Sequence, residues 1–190
     1  MGKLVLFMHT SLDGFVAGKN GEMDWINVDN EIFDYAGDRT DNADTALYGR
    51  VTCQMMEGYW PTAGDKPNAS KHDIQHSQWY KRVTKVVISK TLQGSSLPKT
   101  KIISDQIAKQ VTALKESTAK DILIFGSPSA VHSLQEDNLI DDYWLFVNPV
   151  LLGQGIPLFK GVKDKMKLKL MKSHAFTSGV VCLHYEKYKG

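Results

Sequence analysis

The stretch TALYGRVTCQMMEGYW, residues 45–60, decides the fold. Its first five residues read as a short apolar strand that ends on Gly49. The next nine, 50–58, read as a helix with no turn residues between. A strand that passes directly into a helix leaves its sheet by a crossover, and crossovers join parallel strands. The stretch also raises a chemical question. Arg50 stands on the first turn of the helix, where the positive end of the helix dipole disfavours a cation. An anion docked beside the arginine resolves that conflict.

The same alternation continues on both sides. KLVLFMH (3–9) is an unbroken apolar run, as suits a central strand buried on both faces. A loop marked by glycines follows (10–25), and then a helix capped by Asp29 or Asn30 that carries Ile32, Phe33 and Ala36. KVVIS (85–89), TKIIS (100–104), DILIFG (121–126) and DDYWLFVNP (141–149) read as further strands. Ser104 is placed to cap a helix with Ile107, Val111 and Leu114 on one face. Ser127 is placed to cap another, with Pro128 in the first turn, where its missing N–H is not needed. Residues 61–78 are rich in Pro, Gly, Lys, His and Asn and read as a long surface loop. Two alternating segments, 167–176 and 180–188, are joined by Ser178-Gly179 and read as an antiparallel hairpin. The expected architecture is an α/β three-layer sandwich with a mixed, mostly parallel sheet and an antiparallel C-terminal hairpin. It is expected to form a single domain over residues 1–190.

Bulk properties narrow the function. With 190 residues and 42% hydrophobic content, the chain can build a core. A net charge of +2, with scattered basic residues, argues against nucleic acid or a membrane surface as partner. The two cysteines, Cys53 and Cys182, have no disulfide or metal spacing, which suits a reducing compartment. No leader pattern and no apolar run near the roughly 18 residues of a membrane span is present. These features lead us to expect a cytoplasmic protein.

Two junctions carry the chemistry. Gly49-Arg50-Val51-Thr52 and Gly126-Ser127-Pro128-Ser129 each end a strand on glycine and open a helix whose free N–H groups can bind phosphate. In a parallel sheet both lie at the carboxyl edge, where ligands bind. Neither matches the usual dinucleotide or nucleotide fingerprint. His72 and His76 have the four-residue spacing of helical metal ligands, but the segment reads as loop and lacks a third ligand, so no metal site is expected. Cys53, Met55 and Met56 read as core fillers. Trp25 closes the glycine loop and is a candidate for ligand contact.

The ordered set SLDGFVAG (11–18), LYGRVT (47–52), KVVISKTL (85–92), ILIFGSPSAVHSL (122–134) and LFVNPVLLGQGIPLF (145–159) resembles the dihydrofolate reductase-like superfamily. Within it the chain is most similar to the family of the C-terminal reductase domain of the riboflavin-biosynthesis deaminase/reductase. The resemblance spans nearly the whole chain. It implies an eight-stranded sheet, a homodimer and NADPH as hydride donor. It also implies a small heterocyclic substrate, pteridine- or pyrimidine-like, reduced at a C=N or C=O. By position, Arg50 and Thr52, with Gly49 and Val51, would meet the adenosine 2′-phosphate. Ser89 and Lys90 would lie near the adenosine, and Gly126, Ser127, Pro128 and Ser129 would cradle the pyrophosphate. Asp13 and Gly18 would border the nicotinamide, with Trp25 and Phe33 on the substrate. For the proton, Asp13, a carboxylate of the first helix (Glu31, Asp34) and water stay open. The position nearest by offset to the folate reductases' helix acid is Asn30, which is not acidic. A protein that holds NADPH or a flavin-like ligand without turnover is the alternative.

Overall fold

A computed structural model describes residues 1–92 and 97–188. Its main sheet is assembled from β1 (Leu4–Ser11), β3 (Ala43–Gly49), β4 (Thr84–Ile88), β5 (Thr100–Ile103), β6 (Asp121–Phe125), β7 (Asp142–Asn148), β9 (Leu168–Ala175) and β10 (Val181–Lys187). The strand order is β5-β4-β3-β6-β1-β7-β10-β9. From β5 to β7 every pairing is parallel. The β7–β10 and β10–β9 pairings are antiparallel, which closes the sheet with the expected hairpin. Two short strands, β2 (Phe15–Ala17) and β8 (Ile156–Pro157), form a separate antiparallel ribbon.

The period-two geometry of a strand explains the layers. Along β1, Val5 and Phe7 enter one core, and Leu4, Leu6 and Met8 enter the other. The same division holds in β6, with Leu123 on the first face and Ile122 and Ile124 on the second. Both faces are therefore buried, as the apolar run 3–9 requires. The first face is covered by α1 (Asn30–Asp41), α2 (Arg50–Ala63) and α3 (Lys71–Arg82), through Ile32, Cys53, Trp79 and Tyr80. The second is covered by α4 (Ile107–Ser117) and α5 (Pro128–Glu136), through Val111, Ala130, Val131 and Leu134. A large aliphatic side chain among these, such as Ile32, Val131 or Leu134, contributes roughly 1.5–3 kcal/mol on full burial.

Three expectations need correction. Residues 61–78 are not a surface loop: α2 runs on to Ala63, and 71–82 form α3. The start of α3 is fixed by a capping box, with Ser70 accepting from the Asp73 N–H and Asp73 accepting from the Ser70 N–H. The fourth helix does not start on Ser104. Its N-cap is Gln106, at φ 42°, without a side-chain cap. Ser127 does precede α5, but its hydroxyl caps nothing in that helix. The Asp29 cap of α1 is present, accepting from the Ile32 N–H at 2.9 Å.

Candidate functional site

Adjacent strands β3 and β6 send their helices to opposite faces of the sheet, α2 to the first and α5 to the second. Their carboxyl ends thus form the crevice in which open α/β sheets bind ligands. The two ends are stitched together. The Gly49 N–H donates to the Ser127 hydroxyl at 2.7 Å, in a buried position. Ser127 is therefore held in the left-handed region, φ 64°, beside Gly126 at φ 57°. Such backbone costs about 1–3 kcal/mol for a non-glycine residue and concentrates at functional sites. Its consequence is chemical. With Ser127 Oγ turned away and Gly49 lacking a side chain, neither α2 nor α5 has a side-chain cap. Neither has an acidic residue in its first turn. Among the described residues, the first-turn N–H groups of both helices thus have no side-chain acceptor, which suits them to an anion.

Arg50 is exposed at this edge, and its Nη1 donates to Gln54 at 3.1 Å. Among the described residues no carboxylate pairs with it or with exposed Lys90. Ser89 is buried and its hydroxyl accepts from the Thr91 and Leu92 N–H groups. Ser89, Lys90, Ser104, Ser129 and Ser133 line a hollow of about 180 Å³ beside the uncapped start of α4.

On the other side of the stitch lies a larger cleft of about 830 Å³. Val51, Thr52, Gly126, Ser127 and Pro128 form its edge toward the junctions, and Met8, His9 and Ala17 form its edge along β1 and β2. Its far wall comes from α1, α2 and α3. Phe33, Met55, Trp60, His72 and His76 meet there with Trp79 and Phe125. Phe33 stacks on His72 with centroids 3.6 Å apart, and His76 lies 4.0 Å from Trp60 and 5.1 Å from Trp79. Burial depresses His76 to about 3 and His9 to about 4, and it lowers His72 as well. These imidazoles are neutral at pH 7.

Four of the expected site residues stand apart from the cleft. Asp13 does not line it. Its carboxylate accepts from the Ser11 hydroxyl and from the Leu152 and Gly153 N–H groups, clasping the 149–155 loop to the end of β1. These bonds, that from Ser11 foremost, hold it below the usual carboxylate range. Glu31 accepts from the Thr177 N–H and faces the C-terminal hairpin. Trp25 donates to the Glu22 carbonyl within the glycine loop, and the Gly18 N–H does the same. Asp34 does reach the cleft, at its mouth, in an exposed ion pair with Lys71 at 2.8 Å.

His72 and His76 are wall residues that the reading of 61–78 as loop left out, and Trp79 follows that segment. Their spacing, i, i+4 and i+7, was the available signal. Among the described residues no cysteine or carboxylate joins the two histidines as a third metal ligand. A trio close enough to hold an ion, Asp142, His184 and Glu186, lies at the opposite edge of the sheet. The Lys3 ammonium already sits between its carboxylates there, 2.7 Å from Glu186 and 3.5 Å from Asp142.

Residues 2–182 match the family model of the RibD C-terminal domain. The chain belongs to that family. It is 35% identical to the uncharacterized protein YyaP of Bacillus subtilis (strain 168), over 96% of this chain and 94% of that protein. A putative riboflavin biosynthesis protein from Shewanella sp. PV-4 shares the fold at a TM-score of 0.73 and 21% identity, with both chains covered in full. Dihydrofolate reductase from Enterococcus faecalis, solved with NADP(H), matches at a TM-score of 0.65 and 13% identity, over 99% of this chain and 98% of that one. The fold is therefore dihydrofolate reductase-like, as the ordered motifs of the sequence imply. No helix among the described residues is long and apolar enough to cross a membrane.

Proposed function

We propose that this chain is an NADPH-dependent reductase acting on a C=N or C=O of a small heterocycle. The observation that carries the reading is the stitched pair of uncapped helix starts at Gly49 and Gly126. Two adjacent sets of orphan N–H groups, with Arg50 and Lys90 free of carboxylates, fit a ligand with several phosphates. The N–H groups that open α5 and Ser129 would hold the pyrophosphate. Arg50 and Thr52 would hold a 2′-phosphate, and the hollow at Ser89 and Lys90 would take the adenosine. When bound, NADPH supplies a hydride at its nicotinamide.

The chain's own residues bind, orient and exclude water. Met8, His9 and Ala17 bound the nicotinamide end of the cleft, and the α1–α2–α3 wall holds the acceptor ring over it. Phe33, Met55 and Trp60 keep water from the reacting atoms. Asp34 is the one of the three candidate acids that reaches the cleft, and it stands at the solvent mouth. In this reading the proton that balances the hydride enters from water there. Substrate-dependent loss of the NADPH absorbance band tests the reading. NADPH bound without such loss for any heterocycle would favour a binding protein without turnover, and no binding at millimolar NADPH would end the proposal.

The reading includes a homodimer. On the second face of the sheet no helix among the described residues covers the β9–β10 end, and Leu168, Leu170 and Phe159 are exposed there. Sedimentation should give twice the 21.3 kDa chain mass, and Leu170→Glu should return the monomer.

A further inference from the structure

We infer that the acceptor is a flat aromatic heterocycle carrying no phosphate or carboxylate, gripped by rings and read at its edge by the imidazoles of His72 and His76. The inference rests on the reductase reading for what happens to that ring, but its grounds are in the cleft itself.

Charge is the first. Of the charged side chains that line the cleft, Asp34, Asp38 and Asp41 are carboxylates and Arg82 is the single guanidinium. All four lie at the mouth. Arg82 is bound to Asp41 at 3.1 Å, and Lys71, just outside, is bound to Asp34. Asp38 is exposed, with no ion pair. An anionic group entering at the mouth meets surplus negative charge, and the two cations there, Arg82 and Lys71, are already paired. A phosphorylated or carboxylated acceptor needs the reverse, a free arginine or lysine.

Shape and polarity are the second. The deep wall is made of ring faces and thioethers, which suit a planar apolar body. Set into it are two imidazoles, His72 and His76, and among the described residues neither makes a hydrogen bond. His76 is half-buried against Trp60, Trp79 and Phe125, and it lines the cleft. A neutral imidazole has one donor and one acceptor, the pattern of a lactam or an amidine edge. A ligand with such an edge complements the two rings.

The experiment titrates the full-length protein by calorimetry with two pairs that share a ring: pterin with 6-carboxypterin, and lumiflavin with flavin mononucleotide. At least one neutral member should bind about tenfold more tightly than its anionic partner, the size expected for one like-charge encounter in a part-solvated mouth. Asp38→Lys, a change at an exposed position, should close most of that gap by strengthening the anionic member. Phe33→Ala should weaken the neutral member at least tenfold. Anionic members that bind as tightly as their neutral partners in both pairs, or no neutral member bound at about 1 mM, would overturn the inference. NADPH binding is measured separately. A protein that selects neutral rings but ignores NADPH keeps this inference and loses the reductase. One that binds NADPH and prefers the anionic rings keeps the reductase and loses this inference.

Discussion

Arg50 poses the sharpest question a single residue can here. A guanidinium on the first turn of a helix is electrostatically misplaced unless an anion joins it. The structure leaves it exposed, held among the described residues by Gln54 alone. Arg50→Ala should therefore weaken NADPH by about 1.5–3 kcal/mol, the range for a lost charged hydrogen bond. It should leave NADH nearly unchanged, because NADH lacks the third phosphate. Parallel titrations of the two dinucleotides read the difference, and equal losses would move Arg50 away from the 2′-phosphate. Ser127 carries the complementary role inside the fold. Its hydroxyl is the acceptor for the buried Gly49 N–H. Ser127→Ala keeps the strained backbone but orphans that donor, at a cost of about 1–3 kcal/mol. Urea unfolding should show the loss even without ligand. An unchanged midpoint would mean that the stitch contributes nothing to stability.

At the scale of elements, α3 is the informative case. Its inward face is His72, His76, Trp79 and Tyr80, so half of the stripe consists of residues that do not register as apolar. The segment reads as polar, and only its capping residues declare a helix. By contrast, β1, β3 and β6 are legible because two-face burial demands unbroken apolar runs, and the Gly49 and Gly126 junctions because a glycine between strand and helix is conspicuous in one stretch. The cleft wall has no such signature. It is assembled from α1, α2 and α3, three separate segments that meet in the folded chain. The β2–β8 ribbon is too short to show any period. The dependence of the wall on α3 can be tested at its cap. Ser70→Ala removes the hydroxyl that accepts from Asp73 N–H and should cost about 0.5–2 kcal/mol. Because α3 brings His72 and His76 to the cleft, heterocycle binding should fall with it. NADPH binding, which depends on α2 and α5, should hold. A thermal melt with paired titrations separates the two, and equal loss of both ligands would deny α3 its local role.

For the whole molecule, one arrangement has an energetic consequence that pH exposes. The sheet brings His9 and the α3 wall brings His76 into the same cleft, and both imidazoles are buried among rings: His9 against Phe146, His76 against Trp60 and Trp79. Burial lowers them to about 4 and about 3, against 6.5 in the unfolded chain. The sign follows. Above pH 6.5 neither state holds the proton and the two groups are silent. As pH falls through 6.5 the unfolded chain takes up protons that the folded chain refuses, so stability falls with pH until the folded values are reached. By pH 5 each group has lost about 2 kcal/mol, at 1.36 kcal/mol per unit. Asp142, raised by burial beside Lys3 and His184, works in the opposite sense as it protonates and offsets part of the loss. Urea unfolding at pH 7, 6 and 5 should therefore show a falling free energy, and His9→Gln and His76→Gln should each flatten the slope over that window. A bound heterocycle that hydrogen-bonds His76 in its neutral form should raise stability by the same amount at all three pH values, since the folded ring is already unprotonated throughout that window. A flat wild-type profile between pH 7 and 5 would mean that the cleft admits water to both imidazoles, which would also remove the dry wall on which the choice of acceptor depends.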